Sequence, residues 1–276
     1  MSNIDALLIT PPSRLEVYQG LANDYAAIEP PVWSSLIANF LIKKGFTAEI
    51  LDAEAENLTH EKTAEKIAQK NPKLAIFMVY GQQPSASTQC MPGGKKTCLK
   101  LNEITSNEIK SIVIGTHASA LPKKTLEEEP YTYVCQGEGP LTVIELISFL
   151  KGKTKDLKKI PGLWYLDKDK KVCSNPSAKM FEDLDQNLPG QAWKLLDMKK
   201  YKAHNWHTFG KLDTIKSYAS LQTSLGCPFK CTFCCINAPF ERNTIRFWSP
   251  KHIIEQIKIL VEDYKITNIK IPDEMF

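Results

Sequence analysis

Apolar runs alternate with helical patterns through the first 150 residues of this chain of 276. Runs of apolar, β-branched and aromatic residues predict strands at 6–10, 46–51, 74–80, 111–114 and 131–134. Apolar residues recur at helical spacing at 32–44, 59–69 and 141–150. Strands that alternate with helices form a parallel sheet covered on both faces. Residues 1–150 are therefore predicted to form a doubly wound α/β domain, with the most apolar run, 74–80, at its centre.

Ligands bind to such sheets beyond the carboxyl ends of the strands. In this chain those ends carry Pro11-Pro12, Tyr80, Gly115-Thr116-His117 and Gly137-Glu138-Gly139-Pro140. The paired glycines of the last segment allow a backbone to approach a ligand closely. A plain strand-to-helix turn would use the same glycines, so this segment alone does not identify a ligand site.

Residues 151–216 break this pattern and are predicted to connect two domains. They contain a small hairpin over 163–173 and an irregular strap packed by aromatic residues such as Trp193. His204 and His207 have a spacing that metal ligands can adopt. No cysteine or carboxylate is suitably spaced nearby, so we favour the strap.

A second domain is predicted to begin at residue 217. Strand-like alternation over 217–223 leads directly into a loop with clustered cysteines. A helix over 250–264 follows, with Ser249 as its N-cap. The next strand is predicted over 268–271.

Cys227, Cys231 and Cys234 place three thiols in one loop with the spacing C-x3-C-x2-C. Zinc sites usually gather their ligands in pairs, and bacterial ferredoxins use C-x2-C-x2-C with a remote fourth cysteine. Three thiolates this close can instead bind three irons of a cubane cluster and leave the fourth iron open. The alternatives are a zinc site or a chance grouping of cysteines. Cys235 is interpreted as a bystander, because adjacent cysteines seldom reach the same cluster. The others are interpreted as free thiols: Cys90, Cys98, Cys135 and Cys173.

The net charge of +4 comes from lysines scattered over loops and predicted helix faces. A solvated surface explains that pattern better than a face that binds nucleic acid. The first residues lack the basic segment of a signal peptide, and no apolar run approaches the ~20 residues of a membrane span. Three of the eight cysteines are grouped and the rest are scattered. That pattern suits a reducing compartment better than a disulfide-bonded secreted domain. We therefore expect a cytoplasmic protein without a nucleic-acid or membrane partner.

The cysteine loop resembles the signature of the radical S-adenosylmethionine (SAM) enzymes, in which the open iron binds SAM. Phe233 before the third cysteine and Leu225-Gly226 before the first are part of that match. Upstream residues, including 114–119 and 160–163, resemble the cobalamin-dependent radical SAM family. The resemblance implies a Rossmann-like cobalamin-binding domain at 1–150, a linker with a hairpin and an aromatic strap at 151–216, and the start of a radical SAM partial (β/α) barrel at 217–276.

The same resemblance implies where the cofactors bind. A [4Fe–4S] cluster is expected on Cys227, Cys231 and Cys234, and SAM is expected at Phe233, Asp273 and Glu274. Cobalamin is expected to face Thr10, Tyr80, Thr116, His117, Ser119, Gly137 and Glu138. The chain lacks the D-x-H-x-x-G run that supplies a histidine to cobalt, so no protein histidine is expected on the metal.

Simpler roles are open for some of these residues. His117 is equally well interpreted as a loop histidine that only forms hydrogen bonds. Asp273 and Glu274 also suit a plain acidic loop after a strand. Arg246, which follows the cysteine loop, either pairs with a carboxylate or orders that loop.

The resemblance also implies a reaction. In the family a reduced cluster cleaves SAM to a 5′-deoxyadenosyl radical, which removes a hydrogen from an unactivated carbon, and methylcobalamin then donates a methyl group. We expect methylation of a small metabolite or natural-product precursor, with electrons from a donor such as flavodoxin or ferredoxin. The alternatives are a rearrangement or cyclisation, or a cobalamin-binding or electron-transfer module without catalysis.

The predicted barrel is shorter than its likeness requires. A barrel of this kind has about six strand–helix units, and only one helix and one strand are predicted after the cysteines. We therefore expect either a fragment of a longer protein or one half of an assembly, with little activity alone.

Overall fold

The computed structural model of the protein describes residues 4–22, 26–80, 86–154, 156–203 and 218–275. The strands are β1 Ala6–Thr10, β2 Ala48–Asp52, β3 Leu74–Met78, β4 Lys110–Ile114, β5 Tyr133–Cys135, β6 Leu163–Leu166, β7 Val172–Ser174, β8 Tyr218–Ser220, β9 Ser224–Gly226, β10 Ile245–Phe247 and β11 Asn268–Lys270. The α-helices are α1 Arg14–Tyr18, α2 Val32–Lys43, α3 His60–Lys70, α4 Ala86–Thr105, α5 Thr116–Ala120, α6 Pro122–Glu128, α7 Pro140–Leu150, α8 Leu184–Asn187 and α9 Pro250–Glu262.

Seven strands form one sheet in the order β2-β1-β3-β4-β5-β6-β7. Strands β1 to β5 are parallel, and their order 2-1-3-4-5 is that of a doubly wound sheet. The strand predicted at 74–80 is β3, which lies in the middle of these five with every residue buried. The predicted α/β architecture is therefore confirmed.

The predicted hairpin extends this sheet at one edge. Strand β6 pairs antiparallel with β5, and β7 pairs antiparallel with β6. The indole N–H of Trp164 in β6 donates to the side-chain oxygen of Gln136, just after β5, at 2.7 Å. The sequence predicts the hairpin, but it does not predict that the hairpin joins the sheet of the preceding domain.

Both faces of the sheet are covered by helices. Leu8 and Ile76 pack with residues of α2 and α7, whereas Leu7 and Phe77 pack with residues of α3 and α4. Neighbouring residues of a strand point to opposite faces, so strands buried on both faces are continuously apolar. Full burial of such a side chain contributes about 1.5–3 kcal/mol. This burial explains why these strands are readable in the sequence.

Helix α4 lies between β3 and β4 and packs on α3. The sequence pattern does not predict it, because Pro92, Gly93 and Gly94 lie in its interior and each weakens an isolated helix. Burial of Cys98 and Leu101 against the sheet outweighs that weakness. No helix in the described ranges is long and apolar enough to cross a membrane.

The other four strands form two small pairs. Strand β8 pairs parallel with β11, and β9 pairs antiparallel with β10. The prediction of one strand over 217–223 is wrong, because β8 ends at Ser220 and β9 begins at Ser224. Between them, the backbone N–H of Thr223 donates to the side chain of Asp273 at 2.9 Å instead of to a neighbouring strand.

Aromatic residues join the strap to this second unit. Trp193 and Tyr201 pack with Tyr218 and with Leu260 of α9 in a third apolar core. Helix α9 begins as predicted, since the side chain of Ser249 accepts from the backbone N–H of His252, the third residue of the helix, at 3.2 Å. The two histidines considered as metal ligands, His204 and His207, lie outside the described residues.

Candidate functional site

A cavity opens at the carboxyl edge of the parallel sheet, between that edge and the segments around β9 and β11. On the sheet side its lining includes Thr10, Asp52, Tyr80 and Thr116, at or just beyond the ends of β1 to β4. On the opposite side its lining includes Ser224, Leu225, Gly226, Phe240 and Glu274. The cavity therefore brings three residues predicted for cobalamin together with Glu274, which is predicted for SAM.

Several buried polar atoms of cavity residues have no hydrogen-bond partner among the described residues. They are Thr10 Oγ1, Ser34 Oγ, Tyr80 Oη and Gln222 Oε1. An unsatisfied buried polar group costs about 1–3 kcal/mol, so a ligand that bonds to several of them would relieve that cost. The side arms of a corrin carry amides that donate and accept hydrogen bonds. These residues therefore fit a corrinoid.

An aromatic wall lines part of the cavity. The rings of Trp33 and Tyr80 are stacked, with centroids 4.6 Å apart and planes 8° from parallel. Phe240, from the segment after the cysteine loop, lies 6.3 Å from Trp33 between ring centroids. Burial raises the pKa of Tyr80 well above its usual range, so its hydroxyl stays neutral. The wall thus joins the sheet edge to the cysteine-bearing unit.

Asp52 is a cavity residue that titrates near neutral pH. Burial raises the pKa of its carboxyl from 3.8 to about 7, and the nearby Glu54 carboxylate adds to the rise. Hydrogen bonds oppose the rise, first from the backbone N–H of Ala55 at 3.2 Å, then from the hydroxyl of Tyr201 at 3.1 Å, with a smaller contribution from the backbone of Glu54. No role is predicted for Asp52 from the sequence, although its place at the end of a predicted strand is a usable signal.

Arg14 is a second cavity residue for which no role is predicted from the sequence. It is 9% exposed, and its Nε lies 3.5 Å from a carboxylate oxygen of Glu54. The backbone N–H of Arg14 also donates to Glu54 at 2.6 Å, and the guanidinium donates to the carbonyl of Ala22. Glu54 thus balances a buried charge. Helix α1 is too short to show a periodic pattern, so no sequence signal marks this residue.

The other residues predicted to face cobalamin lie at the same edge but do not line the cavity. Burial lowers the pKa of His117, which favours its neutral form. The hydroxyl of Ser119 accepts from the backbone N–H of Gly137 at 3.1 Å. Glu138 is 6% exposed and forms an ion pair with Arg246. Of the two roles considered for Arg246, the structure therefore shows pairing with a carboxylate.

The cysteine loop begins directly after β9 and leaves its thiols accessible. Cys227 is half-buried, Cys231 and Cys234 are exposed, and all are free thiols. Asn237 holds the start of the loop. Its side-chain oxygen accepts from the backbone N–H of Cys227 at 3.0 Å, and its side-chain nitrogen donates to the Cys227 carbonyl at 2.7 Å. The cysteine spacing gives no hint of Asn237.

The thiols are not gathered into a preformed metal site. In the part of the chain that the structure describes, no three His, Cys, Asp or Glu side chains are grouped as metal ligands. Metal binding is often coupled to folding, so the ligands of a site can come together only when the metal binds. Thiolates are the usual ligands of iron–sulfur clusters, so the donor chemistry of the loop fits a cluster. Phe233, which is predicted to contact SAM, is 92% exposed. The cluster on the three cysteines and the contact of Phe233 with SAM both stay predictions.

Asp273 and Glu274 occupy different environments. The carboxylate of Asp273 accepts from the hydroxyl of Thr223 at 2.5 Å and from the hydroxyl of Ser224 at 2.8 Å, in addition to the backbone bond from Thr223. Glu274 lines the cavity, and partial burial, with a contribution from Asp273, raises its pKa. Glu274 is therefore the carboxylate of this pair that a cavity ligand can reach.

A family comparison agrees with this geometry. Residues 18–147 match the model of the B12-binding domain. This range contains the ends of β2 to β5 and most of the helices on both faces of the sheet. The first part of the chain therefore resembles a B12-binding domain over residues 18–147.

Relatives extend the likeness beyond that domain. The chain is 28% identical to a Pyrococcus horikoshii protein described as an uncharacterized methyltransferase, over 100% of this chain and 54% of that protein. It is 26% identical to the anaerobic magnesium-protoporphyrin IX monomethyl ester cyclase of Rubrivivax gelatinosus, over 89% of this chain and 41% of that protein. The chain thus spans about half, or less, of the length of these relatives.

Solved structures share the fold. The cobalamin-dependent S-adenosylmethionine radical enzyme OxsB, with aqua-cobalamin and S-adenosylmethionine bound, matches 99% of this chain and 34% of its own, with a TM-score of 0.66 and 18% identity. The radical S-adenosylmethionine methyltransferase TsrM from Kitasatospora setae matches 95% of this chain and 47% of its own, with a TM-score of 0.62 and 18% identity. The resemblance to the cobalamin-dependent radical SAM family is therefore confirmed.

Proposed function

We propose that this protein acts as a radical SAM enzyme, which uses a [4Fe–4S] cluster and cobalamin to methylate an unactivated carbon of a small metabolite or natural-product precursor. The observation that carries the proposal is the shared cavity, lined by the B12-binding edge and by the segments next to the cysteine loop. A module that only binds cobalamin would need only the sheet edge. A shared cavity supports chemistry in which both cofactors reach one substrate.

The residues fall into two groups by cofactor. Cys227, Cys231 and Cys234 would hold the cluster, and Glu274 would accept a hydrogen bond from the amino group of SAM. The hydroxyl of Tyr80 would bond to corrin amides, as would that of Thr10. When bound, the cluster and SAM supply a radical that removes a hydrogen from carbon, and cobalamin supplies the methyl group.

The residues of the cavity also control water and protons. Trp33, Tyr80 and Phe240 form an apolar wall that excludes water from the reacting groups. The neutral hydroxyl of Tyr80 orients a ligand without adding charge. Asp52, whose pKa is about 7, can hold or release a proton at the cavity near neutral pH.

Ring formation with the same cofactors is the second candidate. The observation in its favour is the similarity of 89% of this chain to the Rubrivivax gelatinosus cyclase. Both reactions need one-electron reduction of the cluster, for which we propose a flavodoxin or ferredoxin as the donor. The exposed thiols of Cys231 and Cys234 support access of such a donor to this loop.

The products formed from SAM test the proposal. The protein is loaded anaerobically with iron, sulfide and hydroxocobalamin, and then given dithionite and SAM. Loss of the methyl group yields S-adenosylhomocysteine, whereas radical formation yields 5′-deoxyadenosine. Methylation predicts both products, and cyclisation predicts only 5′-deoxyadenosine.

A neighbouring cysteine provides the control for this assay. Cys234→Ala should abolish 5′-deoxyadenosine formation because it removes a proposed cluster ligand. Cys235→Ala, at the next position and also exposed, should retain it. Retention of 5′-deoxyadenosine formation by Cys234→Ala, or its loss in Cys235→Ala, would refute the proposal.

A further inference from the structure

A buried ion pair connects the B12-binding domain to the cysteine-bearing unit. Arg246 is 5% exposed and Glu138 is 6% exposed. Nη1 of Arg246 donates to Oε2 of Glu138 at 3.2 Å, and Nη2 donates to Oε1. Nη1 also donates to the carbonyl of Phe181, in the segment just before α8, at 2.8 Å. A planar guanidinium with two parallel bonds fixes the direction as well as the distance of its partner.

The Glu138 end of the pair is held firmly by its own domain. Glu138 lies in the turn between β5 and α7, flanked by Gly137 with φ +123° and Gly139 with φ +105°. Only glycine adopts such backbone angles readily. The turn is bonded to the segment after β4 through the hydroxyl of Ser119. Glu138 is therefore a fixed point at the carboxyl edge of the sheet.

The Arg246 end leads directly to the cysteine loop. Arg246 is the central residue of β10 and lies opposite Leu225 in β9. Gly226 is the last residue of β9, and Cys227 follows it directly. A Cβ at Gly226 would lie 2.3 Å from the carbonyl oxygen of Thr244, so the two strands approach closely at this point. A displacement of Arg246 would therefore move the start of the loop.

The same arginine contacts the wall of the cavity. Its guanidinium carbon lies 5.2 Å from the ring centroid of Phe240. Phe240 in turn packs on Trp33, which stacks on Tyr80 at the sheet edge. The side chain of Arg246 thus contacts the B12-binding edge, the segment just before α8 and the cavity wall.

We propose that the Glu138–Arg246 pair is the positioning contact that holds the cysteine loop in place over the cobalamin edge. The pair itself is a property of the fold, whereas the identity of what it positions rests on the proposed function. Apolar contacts between the two units are non-directional. A buried, bidentate ion pair is directional, and it costs desolvation. Its contribution is therefore expected in geometry rather than in cofactor affinity.

Hydrogen exchange of the purified protein, without added cofactors, tests the pair. Arg246→Lys keeps the charge but loses the planar fork. The double variant E138Q/R246M removes both charges, so no unpaired charge is left buried. The matched control is Arg242→Lys, four residues earlier in the same segment, where the arginine pairs with Glu182 and both side chains are exposed.

Both test variants should speed exchange about tenfold in peptides covering 137–140 and 224–247, while β1 to β4 keep their wild-type exchange. The control should match the wild type throughout. Wild-type exchange in either test variant would overturn the proposal. So would unfolding of the double variant, because it would show that the pair serves global stability instead of position.

A second measurement separates this proposal from the proposed function. In protein loaded with the cluster and hydroxocobalamin and then reduced, pulsed EPR reports the magnetic coupling between the cluster and Co(II). Both test variants should bind iron and corrinoid as the wild type does, but with a weaker and broader coupling. Unchanged coupling would overturn the proposal. If the wild type takes up neither cofactor, the proposed function fails, and the exchange result still decides the role of the pair.

Discussion

The carboxyl of Asp52 gives the protein a stability that depends on pH in a calculable way. Burial raises the pKa of this acid from 3.8 to about 7 in the folded state. A raised carboxyl pKa means that the folded state binds the proton more tightly than the unfolded state. Below pH 3.8 the protonated carboxyl therefore does not lower the free energy of unfolding. As the pH rises toward 7, its ionisation lowers that free energy increasingly.

The magnitude follows from the two pKa values. At 1.36 kcal/mol per pKa unit, ionisation of Asp52 destabilises the fold by about 1.7 kcal/mol at pH 5 and by about 4 kcal/mol at pH 8. Asp52→Asn removes the titration but keeps a polar group beside Tyr201. Its free energy of unfolding, relative to wild type, should rise by about 2–3 kcal/mol between pH 5 and pH 8.

Urea unfolding of the unloaded protein at a series of pH values measures this difference. Glu49→Gln is the control, because Glu49 lies on the same strand with a side chain 41% exposed. This control shows what the loss of a carboxyl that is not buried does to the stability of the same strand. A difference between Asp52→Asn and wild type that stays flat with pH would refute the assignment of a raised pKa to Asp52.

Three further substitutions test the site. Asn237→Ala loses two hydrogen bonds to the backbone of Cys227, each of about 0.5–1.5 kcal/mol. Amide hydrogen exchange in the cysteine loop should therefore become faster, and unchanged exchange would contradict this prediction. His117→Ala should leave the EPR spectrum of bound Co(II) unchanged, whereas loss of a nitrogen hyperfine pattern would show that His117 binds cobalt. Tyr80→Phe deletes a hydroxyl that has no hydrogen-bond partner among the described residues. It should stabilise the unloaded protein by up to about 1–3 kcal/mol and weaken hydroxocobalamin binding, and stronger binding would contradict that role.

The sequence predicts the sheet well because burial on both faces leaves a local pattern. The run at 74–80 is continuously apolar, and it becomes the central strand β3. Helix α4 escapes prediction because Pro92 and the two glycines after it break the local signal, and only tertiary packing supports the helix. Strand β10 has three residues, too few for a periodic pattern.

The site is harder to predict, because its contacts join residues far apart in the chain. Tyr80 and Thr116 lie at the carboxyl ends of parallel strands, where ligands bind, and the family resemblance adds Thr10; all three line the cavity. Glu138 follows from the same rule, yet its carboxylate bonds to Arg246, 108 positions later. No local pattern predicts such a pairing.

The central claim is that the cavity at the sheet edge binds cobalamin, and a blocking substitution tests it most directly. Thr10→Trp places a large side chain in the lining of the cavity without touching the cysteine loop. Titration with hydroxocobalamin, followed by visible absorption, should show saturable binding of about one corrinoid per chain to the wild type and none to this variant. Far-UV circular dichroism and iron uptake of the variant should equal those of the wild type, which shows that the fold and the cysteine loop are retained. Binding of hydroxocobalamin to Thr10→Trp with wild-type affinity would contradict the claim.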